Sequence, residues 1–141
     1  MTRAPDIEAT ADLLHGTAIR LLRTVRSEDL KSGIPPAQLS ALSVLVFAGP
    51  RTLSALAGAE QVKPPTMSQI VAALEHKGLV TRRPLDKRSA EISATLKGRR
   101  LMEAGRKRRL ERLKNILAHL PKDTLAELHA AGETLARALS G

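Results

Sequence analysis

The chain has 141 residues, 23 lysines and arginines against 14 aspartates and glutamates, a formal net charge of +9 and no cysteine. That length supports one domain with a real core, or two small lobes sharing one. The missing cysteine excludes disulfides, thiolate catalysis and thiol-based redox sensing. So basic a chain points to a polyanionic partner: nucleic acid, an anionic membrane or an acidic protein. No apolar run approaches the roughly 18 residues of a membrane span. The N-terminal MTRAPDIEATADLL carries early acids and no continuous apolar segment, unlike a secretory signal, so the expected compartment is the cytoplasm and no membrane partner is expected. Phe47 is the sole aromatic residue. Modules that grip single strands stack bases on aromatic rings, so duplex DNA read from a groove fits better.

Helical spacing of Ile7, Ala11, Leu14, Ala18, Leu21, Leu22 and Val25 predicts a first helix over 7–27. SGIPP, 32–36, breaks it. A second helix from about Pro36 carries Leu39, Leu42, Leu45 and Val46 and ends at AGP, 48–50. A short helix follows over roughly Ser54–Gln61. The next opens on Pro64 and Pro65, tolerated where the N–H groups have no helical partner. It runs to Lys77 and stops at Gly78, a C′ glycine. AEISATL, 90–96, alternates as a half-buried strand does, and GLVTRR, 78–83, is its partner across the turn residues PLDKRS. A long basic helix runs from near Leu96, with Thr95 as N-cap, to about His119. After LPKD, a last helix ends near Leu139, with Leu125, Leu128, Leu135 and Leu139 as its stripe.

Within 62–78, Met67, Ile70, Val71 and Leu74 form one buried stripe. The opposite face offers Pro65, Ser68, Gln69, Ala72 and His76, short and polar where a merely solvated helix would carry Lys and Glu. Small side chains let a helix sink into the major groove, and Ser and Gln can hydrogen-bond base edges. With LSALAGAEQV before it, this makes a helix-turn-helix. A plain helical hairpin with a polar outer face explains that helix alone equally well, but the charged hairpin downstream favours DNA.

The order helix, helix, short helix, recognition-like helix, β-hairpin, long helix, helix resembles the MarR family of winged helix-turn-helix transcriptional regulators over residues 7–139. The resemblance is most specific in LEHKGLVTRRPLDKRSAEISATLKG, at Leu74, Glu75, Gly78, Leu79, Val80, Arg82, Asp86, Arg88, Thr95 and Gly98. It implies a mainly α fold with a small β-hairpin wing (α+β). A DNA-binding lobe would span 36–96, and a helical dimerisation region 1–31 and 97–141. It implies a homodimer with its recognition helices in the major groove and wings in the minor groove of a pseudo-palindromic operator. It also implies a repressor released by a small phenolic or aromatic carboxylate effector. Three departures stand out. Lys63 replaces the usual Ser or Thr N-cap. Gln69 stands where Arg is frequent. Glu60 and Gly58 suggest a looser helix-turn-helix.

The expected DNA contacts on the recognition helix are Lys63, Pro65, Thr66, Ser68, Gln69, Ala72 and His76. Those on the wing are Arg82, Arg83, Lys87, Arg88 and Ser89. Lys63 could meet a phosphate at the helix N-terminus, and Lys87 and Arg88 a minor groove. Asp86 is assigned to holding the turn and orienting Arg88 or a strand arginine. Of Arg82 and Arg83, one is expected on phosphate and the other paired locally. Residues 97–114 hold nine basic and two acidic residues. A general attraction to DNA is expected there, with Lys97 on a phosphate and Glu103 and Glu111 paired to neighbours. The resemblance alone places an effector near His15, Ile19, Arg23, Leu45 and Phe47, where ordinary core and surface roles compete. His15, His76, His119 and His129 lack metal spacing. No catalytic motif appears, so neither cofactor, metal nor enzyme activity is expected. The rival readings are a non-specific architectural or RNA-associated basic protein and an adaptor for an acidic protein.

Overall fold

The computed structural model describes residues 4–141. Helix α1, Ile7–Asp29, starts where Asp6 accepts the Ala9 N–H at 2.8 Å. It ends in a 3-10 turn, Leu30–Ser32, closed by left-handed Gly33. Helix α2, Pro36–Ala48, opens on proline. Next comes a strand the sequence did not announce, β1, Arg51–Thr52. The Thr52 hydroxyl then caps α3, Leu53–Ala59, by accepting the Ala55 N–H at 3.2 Å. Helix α4 spans Pro64–His76, β2 Val80–Pro84, β3 Ala90–Ala94, α5 Leu96–Leu117 and α6 Lys122–Leu139.

The sheet is antiparallel with order β1-β3-β2, so the hairpin's second strand lies in the middle. Arg51 faces Ile92 in one pairing and Arg82 faces Ile92 in the other. β1 thereby ties the chain ahead of α3 to the wing.

The chain divides into two compact units at Arg109/Leu110. In the first, Leu42 and Leu45 of α2, Leu56 of α3, and Met67, Val71 and Leu74 of α4 are fully buried. Leu79, Val80, Ile92 and Met102 complete this core. Helix α1 places no residue in it. The expected stripe of α1 exists, but Ile7, Leu14, Leu21 and Leu22 are exposed. In the second unit α6 likewise has no buried residue, and Leu125, Leu128, Leu135 and Leu139 are exposed. An apolar period identifies a face that wants cover, not what covers it.

Two turns fix the entry and exit of α4. Before it, the Val62 N–H reaches the Ala57 carbonyl at 3.0 Å and the Gln61 N–H reaches Gly58 at 3.2 Å. This is a Schellman turn with Gln61, at φ 56°, in the left-handed position glycine usually takes. After it, the Leu79 N–H reaches the Leu74 carbonyl and the Gly78 N–H reaches Glu75, with Gly78 at φ 74°.

The three carbonyls that follow α4 are each taken by the segment opening α5. The Lys77 carbonyl accepts from Lys97 Nζ at 2.9 Å and the Gly78 carbonyl from Thr95 Oγ1 at 2.7 Å. The Leu79 carbonyl accepts from the Thr95 N–H at 3.0 Å. Thr95 Oγ1 also accepts the Gly98 N–H at 3.1 Å, so it is the N-cap of α5 while its proton is spent on the α4 side. Gly98 is buried against this staple.

Candidate nucleic-acid interface

Met67, Val71 and Leu74 fasten α4 to the core, with Ile70 half-buried beside them. The opposite face is therefore presented outward. Lys63, Pro65, Thr66, Gln69, Ala72 and His76 are exposed and Ser68 is half-buried. Lys63 makes no capping bond, and prolines fill the first helical positions. Pro64 and Pro65 have no N–H and the Met67 N–H is bonded to the Lys63 carbonyl, so this end of α4 offers an anion the Thr66 N–H, the helix dipole and the Lys63 ammonium.

The wing tip is held by one carboxylate. Asp86 Oδ1 accepts the N–H groups of Arg88 at 2.7 Å and Ser89 at 2.8 Å. The Leu85 N–H reaches the Ser89 carbonyl at 3.0 Å. Lys87 and Arg88 are exposed around it and Ser89 is half-buried. Among the described residues no ion pair joins Asp86 to an arginine side chain, and its contact with Arg88 is through the backbone N–H. The Arg88 N–H first, then the Ser89 N–H and hydroxyl, hold the Asp86 carboxyl below its ordinary value of 3.8. Since the folded value is the lower one, the turn's contribution is complete above 3.8 and fades as pH falls through the lowered value. Hydrogen exchange at Arg88 and Ser89 should therefore be insensitive to Asp86 titration between about pH 5 and 8. Asp86→Ala should accelerate it throughout that range, and unchanged exchange in the variant would remove Asp86 from this role.

Both strand arginines pair locally, where only one was expected to. Arg83 Nη2 lies 3.0 Å from Glu91 Oε1, its direct cross-strand neighbour, and Arg82 Nε lies 3.6 Å from Glu75 Oε1 on α4. Both arginines are exposed, so such pairs contribute little to stability and exchange readily for phosphate. Lys97 also departs from expectation, since its ammonium sits on the C-terminal carbonyl of α4, where the helix dipole attracts it. Glu111 pairs with Lys114 at 3.1 Å, whereas Glu103 makes no ion pair among the described residues. Glu60, one of the departures noted in the sequence, accepts the Ser40 hydroxyl at 2.6 Å.

None of the residues named for an effector lines the cavity that the first unit contains. Leu45 is wholly in the core, and His15, Ile19, Arg23 and Phe47 are exposed. A cavity of about 530 Å³ lies elsewhere in the first unit, walled by Arg26, Leu39, Ser40, Leu101, Met102 and Arg108 among others. Arg109 and Asp29, 2.7 Å apart, also border it. The Nε of Arg108 is buried without a hydrogen-bond partner. Its walls come from segments some 70 residues apart, which periodicity cannot bring together. Among the described residues no cluster of three metal-ligating side chains occurs and no helix is long and apolar enough to cross a membrane.

A polar, exposed helix on an apolar mount beside a cationic hairpin defines a winged helix-turn-helix protein. Residues 34–90 match the model of the MarR family. The chain is 35% identical over 119 residues to an uncharacterised HTH-type transcriptional regulator of Mycobacterium bovis, covering 83% of each. Its fold is shared with a MarR family protein from Bacillus stearothermophilus at TM-score 0.80 and 24% identity, over 98% of this chain and 100% of that one. NadR, solved in complex with 4-hydroxyphenylacetate, aligns at TM-score 0.61 and 23% identity, over 96% and 97%. The chain belongs to the MarR family of HTH-type transcriptional regulators and is a DNA-binding regulator.

Proposed function

We propose that this regulator binds a pseudo-palindromic operator as a homodimer and represses transcription until a small organic anion releases it. The observation that carries the reading is the outward face of α4. Thr66, Gln69 and Ala72 are exposed and uncharged, and are flanked by Lys63 and the cationic wing. Such a face can approach base edges closely, whereas a purely non-specific binder needs only charge. Residues 36–96 then carry the DNA contacts, and 1–31 with 97–141 the dimer body. The exposed apolar residues of α1 and, separately, of α6 support a homodimer. The cavity, lined by several arginines and one paired aspartate, suits an aromatic carboxylate or phenolate. NadR's complex with 4-hydroxyphenylacetate supports that chemistry by analogy.

The test is fluorescence anisotropy with the duplex upstream of this protein's own gene against a scrambled one, at two salt concentrations. Preference for the native duplex that persists at higher salt is the expected result. Equal binding that collapses with salt, together with no enrichment from a random-duplex selection, would leave the non-specific reading instead.

A further inference from the structure

The apolar mount of α4 holds the helix down but does not fix it along its own axis. Burial of Met67, Val71 and Leu74 is favourable and non-directional. Directional bonds have to set where the helix begins and ends, and two of them come from one turn of α2. Ser40 Oγ donates to Glu60 Oε2 at 2.6 Å, in the turn before α4. Gln38 Oε1 accepts from Lys77 Nζ at 2.5 Å, at the C-cap of α4. Gln38 and Ser40 are two residues apart on a helix, so their side chains leave it roughly 200° apart. Leu39 between them packs on the core. One helical turn therefore grips both ends of α4, across 20 residues of sequence on one side and 39 on the other. Both bonds involve a charged group, which makes them short and directional.

We propose that Gln38 and Ser40 are positioning residues for DNA recognition. They hold the axial position of α4 and touch no DNA themselves. The proposal rests on the reading that α4 enters a groove. The Ser40 end acts on the turn containing left-handed Gln61, where the backbone is already in an uncommon conformation. Releasing Glu60 leaves that turn to its two backbone bonds alone and so loosens the N-terminal end of α4. Because Ser40 is exposed, the bond adds little to global stability. Its loss is expected in recognition rather than in folding.

The experiment compares the full-length chain with the Gln38→Ala/Ser40→Ala double variant. The conservative pair Gln38→Glu/Ser40→Thr keeps both bonds. Binding is measured to the duplex the wild type selects and to a scrambled duplex, beside the melting temperature and amide exchange over residues 61–67. The alanine pair should bind the selected duplex weaker by on the order of tenfold, with the scrambled duplex unaffected. Its melting temperature should stay within about 3 °C, and exchange over 61–67 should accelerate. The conservative pair should behave as wild type. Unchanged affinity for the selected duplex, equal loss on both duplexes, or no recovery in the conservative pair would overturn the proposal. A wild-type chain that selects no duplex would remove the DNA reading itself. Exchange then decides whether the clamp exists, and unchanged rates over 61–67 would dismiss it.

Discussion

Gly98→Ala should destabilise this protein by about 3 kcal/mol or more, the largest effect expected of any single methyl group. A Cβ at Gly98 would lie 2.3 Å from the Leu79 carbonyl oxygen and 3.2 Å from Leu42 Cδ1. Neither can retreat cheaply. The Leu79 carbonyl is held by the Thr95 N–H, and Leu42 is fully buried. Relief requires α5 to lift from the end of α4, breaking the cap at Thr95. Thermal unfolding should show a midpoint lower by about 10 °C. Gly58→Ala is the control. A Cβ there meets nothing within 4 Å, so it should be neutral or stabilise by about 0.5–1 kcal/mol. A drop under about 2 °C for Gly98→Ala would mean that α5 does not pack on Leu79 so closely.

Gln69→Ala should carry the largest effect on recognition. Gln69 is exposed at the middle of the outward face of α4, between Thr66 and Ala72. A glutamine amide pairs bidentately with adenine, and one such pair discriminates by about 1–3 kcal/mol. The variant should therefore lose preference at one base of each half-site and keep the others. Arg88→Ala should behave differently, weakening all sequences alike and lowering the salt slope by about 1. A panel of single-base operator variants separates the two patterns. Preferences left intact at every base in Gln69→Ala would mean that another residue reads the groove.

The residues that announced the fold were those with local rules. Gly78 stands at φ 74° because a C′ residue must turn left-handed, and Thr95 caps because its hydroxyl reaches the third residue of the helix. What stayed hidden depends on distant partners. β1 has two residues, too few to alternate, and exists only because Ile92 and Glu91 lie beside it. Gln61 adopts a left-handed conformation without being glycine, held by bonds to Ala57 and Gly58 that no composition signals. The pairing of Arg83 with Glu91 could have been found by laying out the hairpin register, where the two are opposite. The pairing of Arg82 with Glu75 could not, since it crosses from strand to helix. The outward face of α4 was legible because its mount was periodic. The cavity was not, because its walls meet only in three dimensions.

The staple between 77–79 and 95–97 closes residues 80–94 into a loop whose two ends are pinned independently of its tip. The strands are further tied down by β1 and by the pairing of Arg82 with Glu75, so only the tip beyond the Pro84 and Ala90 pair is free to vary in length. Residues inserted around Lys87 would add closure entropy of only about 0.6 kcal/mol for each doubling of the free loop. They would leave α4 and α5 where they are. On the proposed reading, grafting tips of different length and charge here would change how far the protein reaches along DNA without refolding it, which makes the tip an exchangeable attachment.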